Sequence, residues 1–108
     1  MKNIAILGST GSIGVNALRV IQTNPDKYQV TALAAGKNIG LLYEQIKRFR
    51  PLAVAVKEET AAIELKGQMT QSSMPEVFFG TDGFIRLATM TDVDTLISAM
   101  AGSAGLLP

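Results

Sequence analysis

Gly8, Gly11 and Gly14 stand three residues apart in the run Gly8-Ser9-Thr10-Gly11-Ser12-Ile13-Gly14, directly after the segment Asn3-Ile4-Ala5-Ile6-Leu7. That spacing can hold a pyrophosphate without any charged side chain. One glycine makes a tight turn at a strand end, a second lets the phosphates approach the backbone, and a third lets a helix pack closely on a sheet. The first free amides of the helix and the positive end of its dipole then face the anion. The pattern is G-x-x-G-x-x-G rather than G-x-G-x-x-G, and a glycine-rich turn that binds nothing would share it. Its place between an apolar strand-like run and a helical periodicity favours the dinucleotide reading. No Gly-Lys-Ser or Gly-Lys-Thr follows, which excludes a phosphate loop of the nucleoside triphosphatase type.

A second cluster, Ala35-Gly36-Lys37-Asn38, closes the next apolar segment. In a dinucleotide fold a carboxylate here bonds the ribose hydroxyls of NAD. No Asp or Glu occurs between Tyr28 and Tyr43. A carboxylate at contact distance would oppose a 2'-phosphate by about 4 kcal/mol at an effective dielectric near 20. Lys37, as an exposed point charge, adds about 1 kcal/mol in favour of the phosphate. Asn38 can cap the following helix and leave backbone amides free. Together these residues favour NADP over NAD, although an ordinary solvated loop lysine and a plain helix cap would look the same. The third cluster is Ala101-Gly102-Ser103-Ala104-Gly105. If the strand before it lies beside the first strand, the Gly102 turn faces the fingerprint loop. The other reading is a small-residue turn needed only for packing.

The elements that must position these clusters follow from periodicity. Gly14, Ala17, Leu18 and Ile21 give a first helix one apolar face, ended by Asn24-Pro25. Tyr28 to Ala35 reads as the second strand. Ile39, Leu42, Ile46 and Phe49 line a second helix, with Lys47, Arg48 and Arg50 near the negative end of its dipole. Pro51 stops it. Ala53 to Val56 is a short third strand, residues 58–65 are a helix, and 66–75 are a polar loop. Val77-Phe78-Phe79-Gly80 reads as an edge strand, after which Thr81 or Asp82 caps a helix carrying Phe84, Leu87 and Ala88. Residues 94–100 are the last strand. The whole is an α/β, Rossmann-like, doubly wound parallel sheet. Right-handed crossovers allow a sheet order with the Phe78 strand at one edge, then the third, second and first strands, then the Leu96 strand.

The 108 residues can bury roughly 60 to 70% of the surface exposed when unfolded. Ten Lys and Arg against nine Asp and Glu leave no basic stripe for a nucleic acid. No Cys or His is present, which removes a thiolate nucleophile and the commonest acid–base and metal-ligating side chain. No apolar run approaches the length of a membrane span. The first strand starts at once, which points to a cytoplasmic protein without a signal or transit peptide. A new helix is due at Leu106-Leu107-Pro108, and mean hydropathy is +0.25, so residues 1–108 read as a truncated N-terminal NADP(H)-binding domain.

The three clusters at these separations, with Asn24-Pro25 between the first two, resemble the N-terminal domain of the 1-deoxy-D-xylulose 5-phosphate reductoisomerase family over the whole chain. Ser103 is a conservative departure from the alanine of the family pattern. The resemblance implies an enzyme dependent on NADPH and a divalent metal, Mg or Mn. Such an enzyme isomerises a phosphorylated deoxyketose and reduces the resulting aldehyde to 2-C-methyl-D-erythritol 4-phosphate, a step of non-mevalonate isoprenoid biosynthesis, and is typically a homodimer. It further implies that Thr10, Gly11, Ser12 and Ile13, between Gly8 and Gly14, hold the cofactor's phosphates. Gly36, Lys37 and Asn38 would hold its 2'-phosphate and ribose, and Gly102 would line the path to the nicotinamide. The catalytic and metal-binding residues, the substrate-phosphate site and the lid are expected beyond Pro108, leaving these residues inactive alone. Aspartate-semialdehyde dehydrogenases and N-acetylglutamyl-phosphate reductases share the fingerprint style, but the second and third clusters favour the reductoisomerase. A non-catalytic NADP-sensing module and a nucleotide-free interaction domain complete the alternatives.

Overall fold

The computed structural model describes residues 2–36, 38–68, 75–90 and 93–98. Strands and helices alternate: β1 (Lys2–Leu7), α1 (Ser12–Gln22), β2 (Tyr28–Ala34), α2 (Ile39–Phe49), β3 (Ala53–Val56), α3 (Glu59–Gln68), β4 (Glu76–Phe79), α4 (Gly80–Ala88) and β5 (Thr95–Ser98). The strands form one parallel sheet in the order β4-β3-β2-β1-β5, the order expected from the sequence. The chain winds outward from β1 to β4, then crosses back over the sheet to place β5 on the other side of β1. The winding therefore reverses between β1 and β5, and it is outside the strand ends at such a point that ligands bind in these folds.

The two faces of the sheet are built differently. On one, Ile4, Ile6, Val30, Leu33, Val54 and Val56 pack against buried residues of α1, α2 and α3, namely Leu18, Ile21, Ile39, Leu42, Ile46, Ala62 and Leu65. On the other, Ala5, Ala32, Ala34, Ala53 and Ala55 meet Leu87 of α4, with Leu7, Phe78 and Phe84 at the margin. Side chains this small let a single helix lie close to the strands. Gly83 extends the same logic on the helix, since a Cβ there would stand 2.9 Å from the Phe78 Cβ. A register shift between Ile4 and Ala5 lets Val30 and Leu33, three residues apart, share one face, where strict alternation would separate them. At the other edge Asp94 and Asn3 clamp β5 to β1: the Asn3 amide donates to the Asp94 carboxylate and the Asp94 amide to the Asn3 carbonyl, both at 2.8 Å.

Two expectations need correction. The helix after β3 runs on to Gln68, so Lys66, Gly67 and Gln68 are helical rather than loop. All three are exposed, and without an apolar residue to mark it the last turn carries no periodic signal. Neither Thr81 nor Asp82 caps α4, because the helix begins at Gly80 and Phe79 stands at the cap position without a side-chain bond. Gly80, at φ 75°, turns the chain straight out of β4 one residue earlier than the polar pair suggests.

Candidate functional site

β1 delivers the glycine run to the carboxyl end of the sheet. Gly8 has φ 85°, a left-handed backbone that glycine adopts freely, and its amide and that of Ser9 both donate to the Ala34 carbonyl at the end of β2, at 2.7 and 2.9 Å. The Gly11 amide closes the turn on the Gly8 carbonyl at 3.1 Å. Gly11 is extended (φ −81°, ψ 171°) and exposed, and it occupies the cap position of α1 without a side-chain bond to the helix. Gly14 lies buried against the turn. A Cβ at Gly14 would come within 2.2 Å of the Gly8 carbonyl oxygen and 2.7 Å of the Ser9 Cα, so only glycine lets α1 seat here.

The turn leaves donors over. The first intrahelical bond of α1 is from the Val15 amide to the Gly11 carbonyl, 2.8 Å, so Ser12, Ile13 and Gly14 enter the helix with amides that have no acceptor within it. The Thr10 amide takes part in none of the hydrogen bonds among the described residues. No acidic residue lies in the first turn of α1. The uncapped helix start is therefore a concentration of positive partial charge, suited to a pyrophosphate. Ile13, 59% exposed, adds an apolar contact surface beside it.

The second cluster is brought alongside by β2, whose Ala34 pairs with Leu7. Asn38 caps α2, its side chain accepting from the Leu41 amide at 3.1 Å, as its type and position led one to expect. A Cβ on Gly36 would meet nothing within 4 Å, so the fold itself makes no demand for glycine there. The Lys57 amide, just after β3, donates to the Gly36 carbonyl at 3.4 Å, so a second basic residue starts beside this loop. Lys37 and Gly102 lie outside the described residues. β5 nonetheless pairs Ser98 with Leu7, so the strand leading toward Gly102 ends next to the start of the glycine run.

Two residues of the site escaped the sequence reading. Ser9 is fully buried, and Gln45 of α2, 6% exposed, donates its side-chain amide to the Ser9 carbonyl at 2.8 Å. The acceptor is a carbonyl, which fixes the Gln45 amide with its nitrogen toward Ser9. The Ser9 hydroxyl and the Gln45 side-chain oxygen, both buried, have no partner among the described residues. A signal existed: Gln45 is a polar residue within the apolar stripe Ile39, Leu42, Ile46 and Phe49. A separate groove of about 260 Å³ between α1 and α2, lined by Val15, Leu18, Arg19, Leu41, Gln45 and Arg48 among others, opens on the flanks of the helices rather than at the strand ends. Among the described residues no group of three or more His, Cys, Asp or Glu could hold a metal ion, and no helix is long and apolar enough to cross a membrane.

A family model described as 1-deoxy-D-xylulose 5-phosphate reductoisomerase matches residues 4–108. The chain belongs to this family. Relatives called 1-deoxy-D-xylulose 5-phosphate reductoisomerase include one from Photorhabdus laumondii, 50% identical over 109 residues, and one from Geotalea daltonii, 48% identical over 108. A chloroplastic reductoisomerase of Mentha piperita is 44% identical over 108 residues. These alignments take in 99 to 100% of the chain but only 23 to 28% of each relative, so the chain spans about a quarter of their length. Among solved structures, a DOX-P reductoisomerase in complex with NADPH, fosmidomycin and magnesium superposes with a TM-score of 0.91 at 30% identity, over 98% of this chain and 26% of that one. The reductoisomerase of Zymomonas mobilis in complex with NADPH gives 0.86 at 33% identity, over 96% and 27%. The parallel α/β fold of this chain is thus that of the corresponding part of the reductoisomerases.

Proposed function

We propose that residues 1–108 form the NADPH-binding part of a reductoisomerase that converts 1-deoxy-D-xylulose 5-phosphate to 2-C-methyl-D-erythritol 4-phosphate in non-mevalonate isoprenoid biosynthesis. The observation that carries the proposal is the uncapped start of α1, seated by Gly14 on the Gly8–Gly11 turn beside a β2 end that has no carboxylate. In this reading the amides of Thr10, Ser12, Ile13 and Gly14 receive the pyrophosphate, and the exposed Gly11 lets it approach. Gly36, Lys37 and Asn38 receive the adenosine ribose and its 2'-phosphate, and the Gly102 turn borders the nicotinamide end. When bound, NADPH supplies the hydride for the reductive half of the reaction. These residues bind and orient it, and we assign the proton transfers to the part of the full-length protein that this chain does not span. The divalent metal, magnesium in one structural relative, and the phosphorylated substrate would likewise be held outside it. A cytoplasmic homodimer is the form we assign to the full-length protein.

The test is calorimetric titration of the full-length protein with NADPH and with NADH, repeated on Lys37→Asp. Saturable NADPH binding with NADH much weaker, and a shift of preference toward NADH in the variant, is the expected result. A folded protein that binds neither cofactor would sink the proposal. Unchanged discrimination in Lys37→Asp would mean that the 2'-phosphate is read elsewhere.

A further inference from the structure

We propose that Gln45 is the positioning residue of the glycine turn: by holding the Ser9 carbonyl it aims the Thr10 amide at the cofactor's pyrophosphate. The inference rests on the NADPH reading above. The peptide unit between Ser9 and Thr10 is planar and trans, so its C=O and N–H point in opposite directions. The Gln45 amide holds the carbonyl end at 2.8 Å in the buried interior. The Thr10 N–H must then point away from α2. The peptides on either side cannot serve the phosphate, because the Gly8 and Ser9 amides before it are consumed by the Ala34 carbonyl and the Gly11 amide after it by the Gly8 carbonyl. Thr10 therefore carries the one backbone donor between Gly8 and Gly11 without an acceptor among the described residues, and its direction is set by a side chain of another helix.

Burial makes the contact specific. A buried amide beside the apolar stripe of α2 is costly, more so with its oxygen unpartnered among the described residues, and a leucine or methionine there would carry no such cost. The placement is explained if Gln45 is there for the loop. The same helix carries Asn38 at its start, so α2 ties the 2'-phosphate end of the site to the pyrophosphate end and holds them in a fixed relation.

The experiment uses the full-length protein and Gln45→Met, which keeps the volume and loses the donor. NADPH, NADH and adenosine 2'-monophosphate, which has no pyrophosphate, are titrated into both. The Kd for NADPH and for NADH should rise by the same factor, about three- to tenfold for one hydrogen bond. Adenosine 2'-monophosphate should bind as before, and kcat at saturating NADPH should hold while KM rises. Unchanged NADPH binding in a folded variant overturns the inference, as does equal weakening of all three ligands, which would mark a general loss of the site. If the wild type binds no NADPH, the functional reading itself falls; if it binds and the variant matches it, only the role of Gln45 does. Should Gln45→Met not fold, the wild type still decides: the Thr10 amide resonance should move downfield on addition of NADPH, and a Thr10 amide that does not respond overturns the inference.

Discussion

At the scale of the residue, two glycines of the site are there for different reasons, and substitution separates them. Gly14 is required by the fold, because its Cβ would stand 2.2 Å from a backbone oxygen that cannot rotate out of the way. Gly14→Ala must push α1 off the turn, at a cost of about 1–3 kcal/mol in stability, the usual range for overpacking. Gly36→Ala meets open space at an ordinary backbone angle, so its stability should stay within about 0.5 kcal/mol of wild type. Under the proposed function its effect should appear on the cofactor, as a methyl group where the ribose would approach. Urea unfolding and NADPH titration of both variants check this, and a Gly36→Ala protein with full affinity would remove Gly36 from the site. The turn role of Gly8 and the packing role of Gly14 were readable because such constraints are local in sequence. Gln45 was not, since its partner is 36 residues away and only the fold reveals that a polar break in an apolar stripe faces the loop.

At the scale of the element, α2 shows what local chemistry can and cannot specify. Its face, its start and its end are written in Ile39, Leu42, Ile46 and the Asn38 cap, and Arg50 ends it in a left-handed conformation at φ 51°. The start of α4 was misread because two polar residues after a strand look like a cap, while the geometry follows the positive φ of Gly80. Asn38 has two candidate duties, capping the helix and touching the ribose, and a pair of variants divides them. Asn38→Ala loses the bond to the Leu41 amide and should cost about 1 kcal/mol of stability, whereas Asn38→Gly should cost only about a few tenths. Both lose the side chain that would reach the cofactor. Equal loss of NADPH affinity in the two, with unequal urea midpoints, is the expected outcome; an Asn38→Gly protein that binds as wild type would leave Asn38 as a cap alone.

At the scale of the molecule, α1, α2 and α3 each cross between neighbouring strands, whereas α4 carries the chain from β4 back across the sheet to β5 beside β1; that long step was legible only because a doubly wound sheet reverses its winding next to its first strand. Among the described residues the strand order leaves two sheet edges of different character. β4 begins with Glu76, a charge that discourages pairing with another strand. β5 offers Thr95-Leu96-Ile97-Ser98 without a charge, and Leu96, opposite Ala5 in the register, is 41% exposed. An uncharged edge strand that carries an exposed apolar side chain is a template for a further strand. The 108-residue chain produced alone should therefore associate with a second copy through β5, with a sedimentation coefficient that rises with concentration. Leu96→Lys places a charge on that edge at a half-exposed position and should return the chain to a monomer with little loss of stability. A wild-type chain that stays monomeric up to high concentration would show the β5 edge to be protected. Association that persists in Leu96→Lys would move the contact elsewhere, with the β4 edge and its half-exposed Phe79 the next place to put a charge.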